Sequence, residues 1–387
     1  MTLAIRTHGV DERPWYAAAP KPLDPLVHPT RAVALLSLLV IAGCASVPPA
    51  PPAPSPDAVR DDLVRRMPAS LADRDGWAAD IQTALAALDI APIPENLCAV
   101  LAVTAQESGY KADPAVPNLP TVARGEIIRR AAARRIPAFM VDAALRVRSS
   151  DGRTYDARLA EVRTERELSG LYEDLTDKVP LGRRLFDGYN PVETGGPMQV
   201  GIAFAESRAR GYPYPVAGSI RREVFTRRGG LYFGIAHLLG YETPYTRKVH
   251  RFADYNAGWY ASRNAGFQHA VAVASAGMLA LDGDLLAPGA PLERPGETER
   301  ALRSLSGALG MDDRAIRAAL LRGDRLSFND EPLFARVFAL AEQRGGVALP
   351  RERVPSIRLD SPKFTRELTT EWFATRVDTR YRQCMAL

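Results

Sequence analysis

Between Pro94 and Gly109 the chain runs through Leu97-Cys98-Ala99-Val100-Leu101-Ala102-Val103 without one charged side chain. Pro94 followed by Glu95 reads as a helix start. Proline has no N–H to lose at the first position, and an acid there faces the positive end of the helix dipole. Gly109 and the Asp113-Pro114 pair end the helix. A helix that is apolar almost all round cannot lie on a surface, so other elements must wrap it. The chain is long enough to do so. Its 387 residues, 46% of them hydrophobic, suit one large domain or two modest ones. The last residue of this core helix is a carboxylate, Glu107.

The rest of the pattern is also helical. Residues 58–67 and 72–88 carry apolar side chains three and four apart, among them Ile81, Leu85 and Leu88. Amphipathic segments over about 121–147 and 157–177, split by Ser149-Ser150-Asp151-Gly152, predict a helical insertion over about 120–190. Further helices are expected at 197–210, 229–241 and 247–281. A break at Ala287-Pro288-Gly289-Ala290-Pro291 and Arg294-Pro295-Gly296 precedes a segment, 297–387, with helices expected at 297–308, 312–322, 331–344 and 362–384. Period-two alternation is scarce. The expected class is mainly α, one domain over 58–286 with the C-terminal segment packed on its core.

The N-terminus indicates export. After a polar leader, Arg31 opens an apolar stretch that ends in Ile41-Ala42-Gly43-Cys44. It is short for a membrane span and reads as a signal peptide within residues 1–43. The run into Cys44 resembles the bacterial lipobox, whose cysteine is lipidated; with Ala45 after it, the resemblance implies an outer-membrane lipoprotein facing the periplasm. A Pro-rich tether over 44–57 follows, extended at roughly 3 Å per residue. The alternative is a buried helix with an ordinary cysteine. Only Cys98 and Cys384 remain beyond it. In an exported chain such a pair either forms a disulfide, the expectation here, or stays as two buried thiols.

The net charge of +5 suits an anionic polymer or a membrane surface. The arginines are scattered, with no basic tract interleaved with aromatics, so nucleic acid is not an expected partner. The five histidines show no metal-ligand spacing, and neither a nucleotide loop nor a Gly-x-Ser-x-Gly elbow occurs. No metal or cofactor is expected.

Three strings carry the chemistry: Gln106-Glu107-Ser108-Gly109-Tyr110, Gly195-Gly196-Pro197-Met198-Gln199 and Asp254-Tyr255-Asn256-Ala257-Gly258. In that order they resemble the Glu-Ser, Gly-Leu-Met-Gln and Ala-Tyr-Asn-Ala-Gly motifs of the lytic transglycosylases, lysozyme-like enzymes that cleave peptidoglycan glycan strands. The resemblance covers about 90–119 and 190–285. It implies a fold like goose-type lysozyme, with Glu107 as catalytic acid and base. It also implies a substrate-binding set: Ser108 and Tyr110 after the catalytic residue, with Ser108 either touching substrate or capping the helix end, Glu193 beside the Gly-Gly-Pro turn, Met198 and Gln199 starting a helix on one side of the cleft, and Tyr255 and Asn256 reaching Glu107 or the sugar. Pro197 and Asp254 replace the family's leucine and alanine, and Met198 comes 91 positions after Glu107, so the insertion must fold out of the cleft. The Tyr255-Asn256-Ala257-Gly258 and Thr370-Glu371-Trp372-Phe373 strings also resemble a group of uncharacterised proteobacterial lipoproteins, which assigns no activity.

Chemically, Glu107 fits the task. Breaking a glycosidic bond requires a carboxylic acid that stays protonated near neutral pH, and an apolar setting raises a carboxyl pKa. A solvated helix-end glutamate is the plain alternative. The expected reaction cuts the MurNAc–GlcNAc β-1,4 bond and leaves a 1,6-anhydro ring. Hydrolysis would need a second carboxylate, with Glu193 or Asp254 in reach. A glycan-binding lipoprotein on the same fold is the third reading. The run Trp259-Tyr260-Ala261-Ser262-Arg263-Asn264-Ala265-Gly266-Phe267-Gln268 offers either sugar contacts or core packing.

Overall fold

A computed structural model describes residues 54–178, 190–359 and 367–387. Cys44 and the expected signal segment lie outside them. From Ser55 onward the described residues form one compact, mainly α-helical unit.

The helices are α1 Pro56–Arg66, α2 Arg74–Ala87, α3 Pro94–Glu107, α4 Leu119–Ala133, α5 Ala138–Leu145, α6 Tyr155–Leu159 and α7 Glu165–Asp177. A two-stranded hairpin follows, β1 Thr194–Gly195 and β2 Val200–Gly201, paired antiparallel with Gly195 opposite Val200. Next come α8 Ile202–Ser207, α9 Ile220–Val224, α10 Arg227–Leu239, α11 Lys248–Ala257 and α12 Ala261–Ser275. The last group is α13 Glu297–Ser304, α14 Ser306–Leu309, α15 Asp313–Leu320 and α16 Pro332–Gly345. A second pair, β3 Arg358–Leu359 and β4 Leu368–Thr369, leads into α17 Thr370–Met385.

The apolar helix is α3, and it occupies the place its composition demands. Leu97 through Val103 are at most 3% exposed. It packs against α17 and α10, while α2 covers α10 and α1 covers α2. The insertion joins the same core through Val116, Leu119, Tyr155, Leu159, Leu168 and Leu171. Thr164 caps α7 in a reciprocal capping box with Glu167.

The C-terminal segment is divided between two cores, where the sequence suggests one. Residues 297–345 build a second apolar cluster with the later half of α12, around Phe267, Phe328, Phe334 and Phe338. The strand pair, through Leu359 and Leu368, and α17 return to the first core, where α17 packs on α3 and α11. Cys384 of α17 is bonded to Cys98 of α3, with Cα atoms 5.5 Å apart.

Expected helices are corrected at the second and third strings. Met198 and Gln199 do not begin a helix over 197–210; they lie in the hairpin loop, and α8 starts at Ile202. The expected helix over 247–281 is two, because Gly258 at φ 104° and Tyr260 at φ 64° turn the chain between α11 and α12. Among the described residues no helix is long and apolar enough to cross a membrane.

Candidate active site

Glu107 ends α3 with 2% of its surface exposed. Ser108 closes the helix end: its hydroxyl donates to the Thr104 carbonyl at 3.2 Å and accepts from the Lys111 N–H at 3.1 Å. Gly109 and Tyr110 then take left-handed backbone angles, which brings the Tyr110 hydroxyl back onto the Leu101 carbonyl at 3.1 Å. The Tyr110 ring stands edge-on to Trp77, and burial pushes its hydroxyl well above its ordinary pKa. Ser108 and Tyr110 therefore hold the turn that presents Glu107. Next to Glu107, Gln106 accepts from Arg380 of α17 at 3.2 Å.

The hairpin forms the second component. Gln199 sits at φ 53° and is 1% exposed. Its backbone and side-chain N–H groups both donate to the Gly196 carbonyl, at 3.1 and 3.2 Å, and its Oε1 accepts from the Thr194 hydroxyl at 3.3 Å. The loop approaches its neighbours too closely for side chains at four glycines, Gly195, Gly196, Gly230 and Gly234. A Cβ on Gly196 would lie 2.1 Å from the Val224 carbonyl, and one on Gly234 of α10 would lie 2.6 Å from the Met198 sulfur. Met198 is wholly buried against α10.

The third string links the other two. The Tyr255 hydroxyl donates to the Met198 carbonyl at 2.7 Å. Burial, and after it the nearby Glu107 carboxylate, drives that hydroxyl well above its ordinary pKa. Glu107, Met198 and Tyr255, spread over 149 positions of chain, thus come together. Asn256 is 4% exposed, and its side-chain oxygen has no hydrogen-bond partner among the described residues.

Asp254 has a structural role. It is fully buried and accepts from the Tyr241 and Tyr245 hydroxyls at 3.1 and 2.8 Å and from the N–H groups of Tyr260 and Ser262 at 3.0 and 2.7 Å. It fixes the turn from α11 into α12. Glu193 is separate from this cluster in character: its side chain is 43% exposed and paired with Arg130 of the insertion at 2.8 Å.

The run after Gly258 is mostly committed to the fold. Phe267 stacks on Phe334 in the second core. Asn264 donates to the carbonyls of Gly283 and Gly323, and Gln268 to Asp282, Asp284 and Thr298. Trp259 remains half-buried, stacked on Tyr241 and donating to the His237 carbonyl at 2.8 Å. His237, on α10, carries no signal of its own in the sequence. Its Nε2 meets the Tyr255 carbonyl at 3.2 Å, within a ring of Phe204, Tyr255 and Trp259. No spacing rule flags it, because its partners come from three other elements. Among the described residues no cluster of His, Cys, Asp and Glu could hold a metal ion.

No solved structure matches the chain. It is 52% identical over 361 residues to "Uncharacterized protein YaiW" of Escherichia coli (strain K12), covering 93% of this chain and 99% of that one. A family model described as "Protein of unknown function (DUF1615)" matches residues 70–387, four-fifths of the sequence, and the chain belongs to that family.

Proposed function

We propose that this protein is a peptidoglycan lytic transglycosylase with a lysozyme-like site, anchored in the outer membrane by a lipid on Cys44. The observation that carries the reading is the meeting of the three strings: Tyr255 is bonded to the Met198 carbonyl and lies within electrostatic reach of Glu107. In this mechanism the protonated Glu107 gives its proton to the glycosidic oxygen as the bond to C1 of MurNAc breaks. GlcNAc leaves, and the MurNAc N-acetyl oxygen stabilises the cation. The carboxylate then takes the proton of the C6 hydroxyl as O6 closes on C1. The orphaned Asn256 oxygen is suited to accept a hydrogen bond from a sugar hydroxyl or acetamide N–H. Hydrolysis is disfavoured because Asp254 is saturated by four donors and Glu193 is ion-paired on the insertion.

One observation favours a second reading, a glycan-binding protein without turnover. Met198 and Gln199 are at most 1% exposed and give a sugar little side-chain surface. Incubation with purified sacculi and analysis of the released ends separates the readings. Anhydro ends at a rate that falls by roughly 10²–10⁴-fold in Glu107→Gln are the expected result. Reducing ends would mean hydrolysis. Binding without release by the wild-type protein would mean the second reading.

A further inference from the structure

The insertion carries an apolar face that is exposed among the described residues. Residues 132–140 are all exposed. Ile136 is 40%, Phe139 71% and Met140 52% exposed, and Val147, just past α5, is 50% exposed. The opposite side of α5 is fixed, since Val141 and Leu145 belong to the core. A short, anchored helix thus holds a phenylalanine and a methionine out into solvent, an arrangement that marks a contact surface.

Along this stretch of chain positive charge is in excess. Residues 134–148 contain Arg134, Arg135, Arg146 and Arg148 against a single carboxylate, Asp142. That carboxylate is paired with Arg124 at 2.8 Å, and the same guanidinium also holds Asp156. We infer that this face docks onto a lipid surface with anionic headgroups. Ile136, Phe139, Met140 and Val147 enter the boundary between headgroups and acyl chains. The arginines meet the phosphates while their aliphatic stems stay with the apolar side chains. A second copy of this chain is a poor occupant, because it would bring eight arginines together. A fluid anionic surface complements the positive excess and accepts protruding side chains without a matched shape. The contact is independent of the lipid at Cys44 and of any glycan cleavage.

The test uses the full chain with Cys44→Ala, so that no acyl group can supply the binding. The protein is floated with vesicles of phosphatidylglycerol and phosphatidylcholine, and with vesicles of phosphatidylcholine alone. Binding to the anionic vesicles should be at least tenfold tighter. The double substitution F139S/M140S should weaken it at least tenfold, and R135Q/R146Q should abolish the preference for phosphatidylglycerol. All four side chains are exposed, so unchanged circular dichroism is expected as the folding control. Failure to float with anionic vesicles, or equal flotation of F139S/M140S, would overturn the proposal. So would a dimer by light scattering that F139S/M140S converts to monomer, since the face would then be a contact between copies.

Discussion

His237 has one ring nitrogen on the Tyr255 carbonyl and the other, Nδ1, buried with no partner. A neutral ring fits this setting; a second N–H would have nothing to meet. Burial accordingly pulls its pKa down from 6.5 to about 4. The unfolded chain takes up this proton first, so the stabilisation is fully present above pH 6.5 and is lost as pH falls through about 4. It amounts to about 3 kcal/mol. Asp254 acts in the opposite sense in the same window. Burial pushes its carboxyl up to about 6 despite four donors, so its contribution is present below pH 4 and is lost as pH rises through about 6. Comparison with His237→Gln isolates the histidine. The stability difference between wild type and variant, from urea unfolding, should move by about 3 kcal/mol in the variant's favour between pH 7 and pH 4. A difference that does not change with pH would show that His237 is not held neutral by its surroundings.

At the scale of elements, the hairpin over residues 194–201 depends on close packing. Gly196 sits at φ 74° with the Val224 carbonyl where a Cβ would stand. Gly196→Ala combines backbone strain with overpacking and should cost about 1–3 kcal/mol. Thermal unfolding of the variant measures it, and an unchanged midpoint would mean the loop shifts freely away from α9. The same hairpin shows where sequence reading stops. The limits of α3 were legible because Pro94, the unbroken apolar run and Gly109 are local signals. Met198 and Gln199 read as helix because Gly-Gly-Pro is a common entry to one. What places them in a loop is contact with Val224, Gly230 and Gly234, all distant in sequence. The break at Gly258 is stabilised by Asp254 receiving the Tyr260 and Ser262 N–H groups, and the expected helix over 121–147 is interrupted at Pro137. The glycine and the proline were visible, but a continuous apolar pattern outweighed them. Glu107 and Tyr255 could be nominated from their strings. The burial of Met198 could not, since it follows from an absent side chain on α10.

For the whole molecule, the decisive connection is the return of α17 across an excursion that builds a separate core. The Cys98–Cys384 bond spans 286 positions, and Arg66 reinforces it by donating to the Cys384 carbonyl at 2.7 Å. Without the bond, the N-terminal helices and α17 must find each other from an open chain. On the chain-entropy account a loop of this length contributes about 5–6 kcal/mol, a large share of the total stability of an ordinary domain. The double substitution C98S/C384S should therefore lower stability by about that amount in urea unfolding. Wild type treated with a reductant that reaches the bond should unfold at the midpoint of the variant. The loss should fall on the first core, where α17 covers α3, and spare the second, which contains neither cysteine. Native-state hydrogen exchange can read that asymmetry, with α3 and α17 losing protection before α16. Uniform loss across both cores would mean that they unfold as one unit. A cost below about 1 kcal/mol would mean that the packing of α17 on α3 and α11, and not the covalent link, holds the helix bearing Glu107 in place.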